Sequence, residues 1–206
     1  MSFLRKLFGP SKQEISQQFS AATGSSYIPS DSFWKGDKVE AKHGEWTVTL
    51  DTYMVSTGKS SVPFTRMRAP YVNPDGFRFT IYRKGIFSDL GRRLGMQDVT
   101  VGHPEFDEAF IIKGNDAQKL RALFANPKIR ELITAQPAIR FSVIDDEKQF
   151  WSGSGFPQGV DELHFQTVGV IKEVARLKLL YELFSETLDE LCRMGSAYEN
   201  DPQVKL

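Results

Sequence analysis

Hydrophobic and polar positions change period along this chain, from alternation by two in the first half to steps of three and four near the end. Glu45 to Ser56 alternates Trp46, Val48, Leu50 and Thr52 against Thr47, Thr49, Asp51 and Tyr53, the pattern of a strand with one buried face. Gly58-Lys59-Ser60 reads as a turn, so Val62 to Val72 is expected to pair back as a hairpin. Asn73-Pro74-Asp75-Gly76 turns the chain again, because Gly76 supplies backbone freedom and Asp75 a side-chain acceptor. Gly76 to Lys84 follows as a third strand, with Phe77, Phe79 and Ile81 on one face and Arg78, Thr80 and Tyr82 on the other. Three successive strands predict an antiparallel meander in a β-rich part that begins near Val39. A short helix from Ile86 to Leu94, stopped by Gly95, and a short strand from Asp98 to Gly102 come next.

From Phe106 the pattern concentrates. Phe106, Phe110 and Ile112 fall on one face of an expected strand that Gly114 ends. Asn115 or Asp116 can then cap a helix carrying Ala117, Leu120, Leu123 and Phe124, by accepting the orphan amides of its first turn. Asn126-Pro127 restarts the helix: asparagine caps, and proline takes the first helical position, where its missing donor costs nothing. Ile129, Leu132 and Ile133 form the second stripe. Capping accounts for Asn115, Asp116 and Asn126 without a ligand.

After Gln136-Pro137, Ala138 to Ile144 and Gln149 to Trp151 predict a hairpin, Ser152 to Gly159 a loop, and Asp161 to Gly169 a strand. Val170, Val174, Leu177, Tyr181, Phe184, Leu188 and Leu191 then step by four and three, a long amphipathic helix ending near Gly195. A repeat of that kind packs across a sheet and also suits pairing with a second copy, so a homodimer through this helix is an expectation. At the other end Phe3, Leu4, Leu7 and Phe8 share a helical face beside Arg5 and Lys6, a small surface suited to weak membrane contact through residues 1–8. The elements give an α+β class: a mainly antiparallel sheet, meander plus hairpin, packed by a short helix pair and one long C-terminal helix. Residues 1–32 are expected to be a helical appendage or connector, 33–195 a single domain and 196–206 a frayed tail.

Composition narrows this little. The 206 residues carry 40% hydrophobic and 25% charged positions and a formal net charge of zero, so no global field steers the chain toward nucleic acid or an acidic membrane. One cysteine, Cys192, excludes an internal disulfide framework and a cysteine-rich zinc site. With neither a long apolar run nor a signal-peptide core, the cytoplasm is the expected compartment.

Candidate chemistry is sparse. His103, Glu105 and Asp107 alternate, as do Glu162 and His164, but neither set has metal-motif spacing; both read as solvated edge residues, and no cofactor or metal is expected. Ser152-Gly153-Ser154-Gly155 lacks the strand-to-helix setting of a nucleophile elbow. The basic stretch stands out: eight Lys and Arg from Lys59 to Arg93 face only Asp75 and Asp89. Arg66 and Arg68 share one strand face, and Arg78 with Tyr82 another; these four are the candidate ligand-binding residues, a guanidinium-lined surface for phosphate or carboxylate. The string from Gly76 to Tyr82 departs from an RNA-recognition pattern at Asp75, Arg78 and Thr80, so nucleic acid is not the expected partner. The competing account pairs the arginines with the acidic C-terminal helix, through Glu182, Glu186 or Asp189.

Phe106, Phe110, Asp116, Leu120, Phe124, Ile139 and Phe141 carry one resemblance. The stretch from Val99 to Phe150 resembles a bacterial family of uncharacterised proteins, many of them anchored to the inner membrane. That resemblance implies a compact domain and transfers no catalytic residue. The combined expectation is a non-catalytic binding or scaffolding module, peripheral to a membrane, with a small anionic-ligand binder or enzyme on the basic strand face as the alternative.

Overall fold

The computed structural model describes residues 11–30, 36–56, 58, 60–85, 97–145 and 156–206. The expected helices at 1–8 and 86–94, the strand at 149–151 and most of the glycine-rich loop lie outside the described residues.

The first described helix, α1 (Lys12–Thr23), begins with a reciprocal cap: the Ser11 hydroxyl accepts from the Glu14 amide, and Glu14 accepts from the Ser11 amide. Ile15 and Phe19, one turn apart, are buried in the core. The expected appendage is therefore, over this helix, part of the domain.

Strands β1 (Ser26–Ile28), β2 (Lys38–His43), β3 (Trp46–Ser56) and β4 (Ser61–Val72) pair successively and antiparallel, so a meander forms. The strand expected after Gly76 as the third of that meander is not its next member. β5 (Phe79–Arg83) stands apart from β4, with β9 (Val160–Val168) and β8 (Arg140–Ile144) inserted between them. Beyond β5 come β7 (Phe110–Gly114) and the two-residue β6 (Gln97–Asp98), completing a nine-stranded sheet in which every pairing is antiparallel. The hairpin expected of Ala138 to Ile144 is made with β9.

The stretch from Phe106 divides differently from its expected pattern. Pro104–Ala109 forms helix α2 with proline at its start, and the strand begins only at Phe110. Phe106 and Phe110 are four apart, a spacing that satisfies a helical turn as well as strand alternation, and their rings meet at 4.8 Å. Gly114 ends β7 where an added Cβ would lie 2.9 Å from the Arg78 carbonyl oxygen, so the close approach requires glycine. Helices α3 (Ala117–Ala125) and α4 (Pro127–Thr134) start as expected: Asp116 accepts from the Gln118 and Lys119 amides at 2.9 and 3.0 Å, and Asn126 from the Lys128 amide. Asn115 instead ties the turn before β5, accepting from the Arg78 amide and donating to the Gly76 carbonyl. Replacing Asp116 with alanine should lower stability by about 1 kcal/mol, read as a shift of the urea midpoint with an unchanged slope.

The last helix, α5 (Val174–Arg193), starts four residues later than the stripe suggests. Leu177, Phe184, Leu188 and Leu191 are buried against the chain's own sheet, where the Phe184 ring meets Phe141 at 5.4 Å and Phe141 meets Phe79 at 5.7 Å. All the described helices pack on this one face of the sheet. No described helix is long and apolar enough to cross a membrane. The expected frayed tail is tied down: Ser196 and Ala197 are buried, the Tyr198 amide donates to the Val72 carbonyl, and the Trp46 indole donates to the Tyr198 carbonyl. Aromatic and backbone partners on β3 and β4 supply the hold that composition alone does not reveal.

Candidate functional site

Alternation that turns Met67, Ala69 and Tyr71 toward the helices turns Arg66 and Arg68 to the opposite face. Sheet register then builds rows across that face. Asp51, Arg66, Gln166, Arg140 and Tyr82 stand side by side on β3, β4, β9, β8 and β5. The next row is Thr49, Arg68, His164, Ser142 and Thr80. On the other side lies an aromatic and aliphatic row of Tyr53, Phe64 and Val168, followed by the pair Val55 and Val62.

Asp51 takes both strand arginines. Arg66 grips it in a two-pronged contact at 2.9 and 2.8 Å, and Arg68 reaches it at 2.6 Å. Burial opposes the Asp51 charge, but the Arg66 hydrogen bonds and both guanidinium charges outweigh it and hold the carboxyl below its ordinary value. The Arg66 guanidinium also lies 4.7 Å from the centre of the Tyr53 ring. The Tyr53 hydroxyl donates to the Gln166 side-chain oxygen at 3.0 Å.

Arg78 is elsewhere. Its guanidinium holds Asp161 through Nε at 2.9 Å and Nη2 at 3.1 Å, and Asp145 through Nη1 at 2.6 Å. Asn73 donates to the same buried Asp161 and to the Phe77 carbonyl, so this group locks the turn before β5 onto β9. The expected ligand set of Arg66, Arg68, Arg78 and Tyr82 therefore splits: three members lie on one sheet face, and Arg78 is a structural tie. The expected pairing with the C-terminal helix is not made by these arginines either. Glu182 pairs with Lys128, Asp189 with His43 and Glu190 with Arg193, while the arginines find strand carboxylates.

The histidine sets also fall differently. Glu162 and His164 are buried on an interior strand, not on a solvated edge. His103 precedes α2, and the Asp107 carboxylate accepts from the Val101, Gly102 and His103 amides. No group of three candidate metal ligands occurs among the described residues.

The arginine that sequence reading passed over is Arg140. Among the described residues it has no carboxylate partner, and burial draws its guanidinium below its ordinary value. Beside it, burial and then the charges of Arg66, Arg68 and Arg140 push the His164 imidazole down to about 3, so it is neutral near pH 7. Ser142, directly opposite His164 and 1% exposed, has a hydroxyl without a hydrogen-bond partner among the described residues. These groups line a groove of about 700 Å³, within the range of ligand pockets, with Tyr53, Met54 and Val55 toward one end and Ile144 toward the other. A second hollow of about 400 Å³ touches Arg66 and Arg68, but Asp51 sits between them there. The only sequence signal for Arg140 was a single charge in an otherwise apolar alternation.

No protein-family model matches the chain, and no curated protein matches it. A solved structure does. The crystal structure of the mycobacterial trehalose monomycolate transport factor A, TtfA, shares the fold. The likeness has a TM-score of 0.55 at 8% identity and covers 87% of this chain and 94% of that one.

Proposed function

We propose that this chain is a non-catalytic binding module whose ligand surface is the sheet face opposite the described helices, and that the ligand is anionic. The observation that carries the reading is Arg140, a half-buried guanidinium with no carboxylate partner among the described residues, in a groove it shares with Arg66 and a neutral histidine. A binding role fits better than catalysis because no hydrogen bond joins Ser142 to His164, and an imidazole pushed down to about 3 is a poor proton acceptor near neutrality. The fold shared with a protein named as a transport factor supports the same reading. A cytoplasmic location, a weak membrane contact through residues 1–8 and self-association belong to the proposal as secondary elements. Because α5 buries its apolar stripe in its own core, a second copy docking on that helix would meet Lys178 and Glu182.

The test is an amide-resolved NMR titration with butyrate. Amides of β8 and β9 around Arg140 and Gln166 should shift in the wild type, and Arg140→Gln should abolish the response while leaving the spectrum folded. Wild-type strands that ignore butyrate would overturn the reading.

A further inference from the structure

The groove has two chemical ends. Along β4 the outward residues run from Arg66 through Phe64 to Val62, with Tyr53 and Val55 opposite the last two. Four residues of strand span roughly 13 Å, a length that suits a medium alkyl chain rather than a compact anion. The far end is exposed apolar surface: Val55 is 37% and Val168 59% exposed, where β3, β4 and β9 leave the basic row. At the near end Arg66 and Arg68 are already matched with Asp51, and Arg68 also approaches Glu162 at 3.9 Å, so Arg140 is the guanidinium of this row without a carboxylate partner among the described residues. One planar guanidinium pairs best with a single carboxylate, which accepts two parallel hydrogen bonds and carries one negative charge; a dianion would stay half-compensated. The buried Ser142 hydroxyl beside it lacks a partner among the described residues and can donate to the same head group.

We propose that the groove binds a single-chain amphiphile with a carboxylate head, a fatty-acid-like molecule. The head sits on Arg140 and Ser142, and the chain lies over Tyr53, Phe64 and Val55. This rests on the anion-binding reading above and adds the ligand's class.

Calorimetric and NMR titrations with butyrate, decanoate and the neutral-headed decyl maltoside, each below the concentration at which it self-associates, test it. Decanoate should bind at least about tenfold tighter than butyrate, since each buried methylene adds favourably to transfer from water. The variant Val55→Ser/Val168→Ser should bring decanoate close to the affinity of butyrate, with a much smaller effect on butyrate itself. Arg140→Gln should lose the preference for decanoate over decyl maltoside. Butyrate shifts in β8 and β9 with no gain from the longer chain would overturn the amphiphile and leave the anion site standing. No response to either acid would overturn both. Decanoate binding that neither variant changes would place the ligand on another surface and overturn the proposal.

Discussion

Replacing Arg78 with alanine should cost roughly 2–3 kcal/mol of folding stability, less than for a fully buried ion pair because water screens the partly exposed guanidinium. Asp161 is the reason. Its carboxylate is buried, takes two hydrogen bonds from Arg78 and one from Asn73, and would lose its guanidinium partner. The loss reaches beyond one pair, because the Arg78 guanidinium also holds Asp145. Chemical unfolding of the wild type, Arg78→Ala, Asp161→Asn and the double variant checks the assignment. The double variant should be markedly more stable than Arg78→Ala alone, since removing the orphaned charge restores part of the loss. A loss under about 1 kcal/mol for Arg78→Ala would mean that the cluster behaves as a solvated surface pair.

Acid should weaken the protein through His164 well before the carboxylates titrate. Its folded-state value of about 3 lies below the 6.5 of an unperturbed imidazole, so the unfolded chain takes up the proton first as pH falls. The stability tied to the neutral ring is therefore complete above pH 6.5 and is lost progressively down to about pH 3. At about 1.4 kcal/mol per pH unit, this group alone should remove roughly 2 kcal/mol between pH 6.5 and 5. Urea unfolding of the wild type and His164→Gln across pH 7.5 to 5 isolates it: the variant should lack this slope, while other groups act equally in both. Parallel slopes for the two proteins would show that His164 protonates in the folded state with little penalty.

What could be read from the chain follows the range of the interaction. Caps are local, so Asp116 and Asn126 were legible, as were the strands from Trp46 and Ser61 and the stripe of α5. Phe106 was ambiguous because a spacing of four serves both periods, and Pro104 decided for the helix. The place of β5 was not legible, since strand order depends on partners up to about a hundred residues away. The same limit hid the site. Arg66 and Arg68 announced themselves as a cluster but are matched by Asp51, which only the β3–β4 register brings under them. Arg140 has no sequence neighbours of its kind and becomes notable only when β8 is laid beside β9.

Strand order also sets a timetable for synthesis. β4 meets β9 with Val72 opposite Val160 and Phe64 opposite Val168, so a ribosome that has finished the meander must still make about ninety residues before its edge is covered. At ordinary elongation rates that is an interval of roughly 5–20 s during which a long strand carries unpaired amides and carbonyls. Contacts so distant along the chain also make folding slow relative to a helical bundle of the same size. The nascent protein is thus most exposed to aggregation in that window, and Arg66 and Arg68, whose charge discourages edge-to-edge pairing, flank the open edge while it lasts.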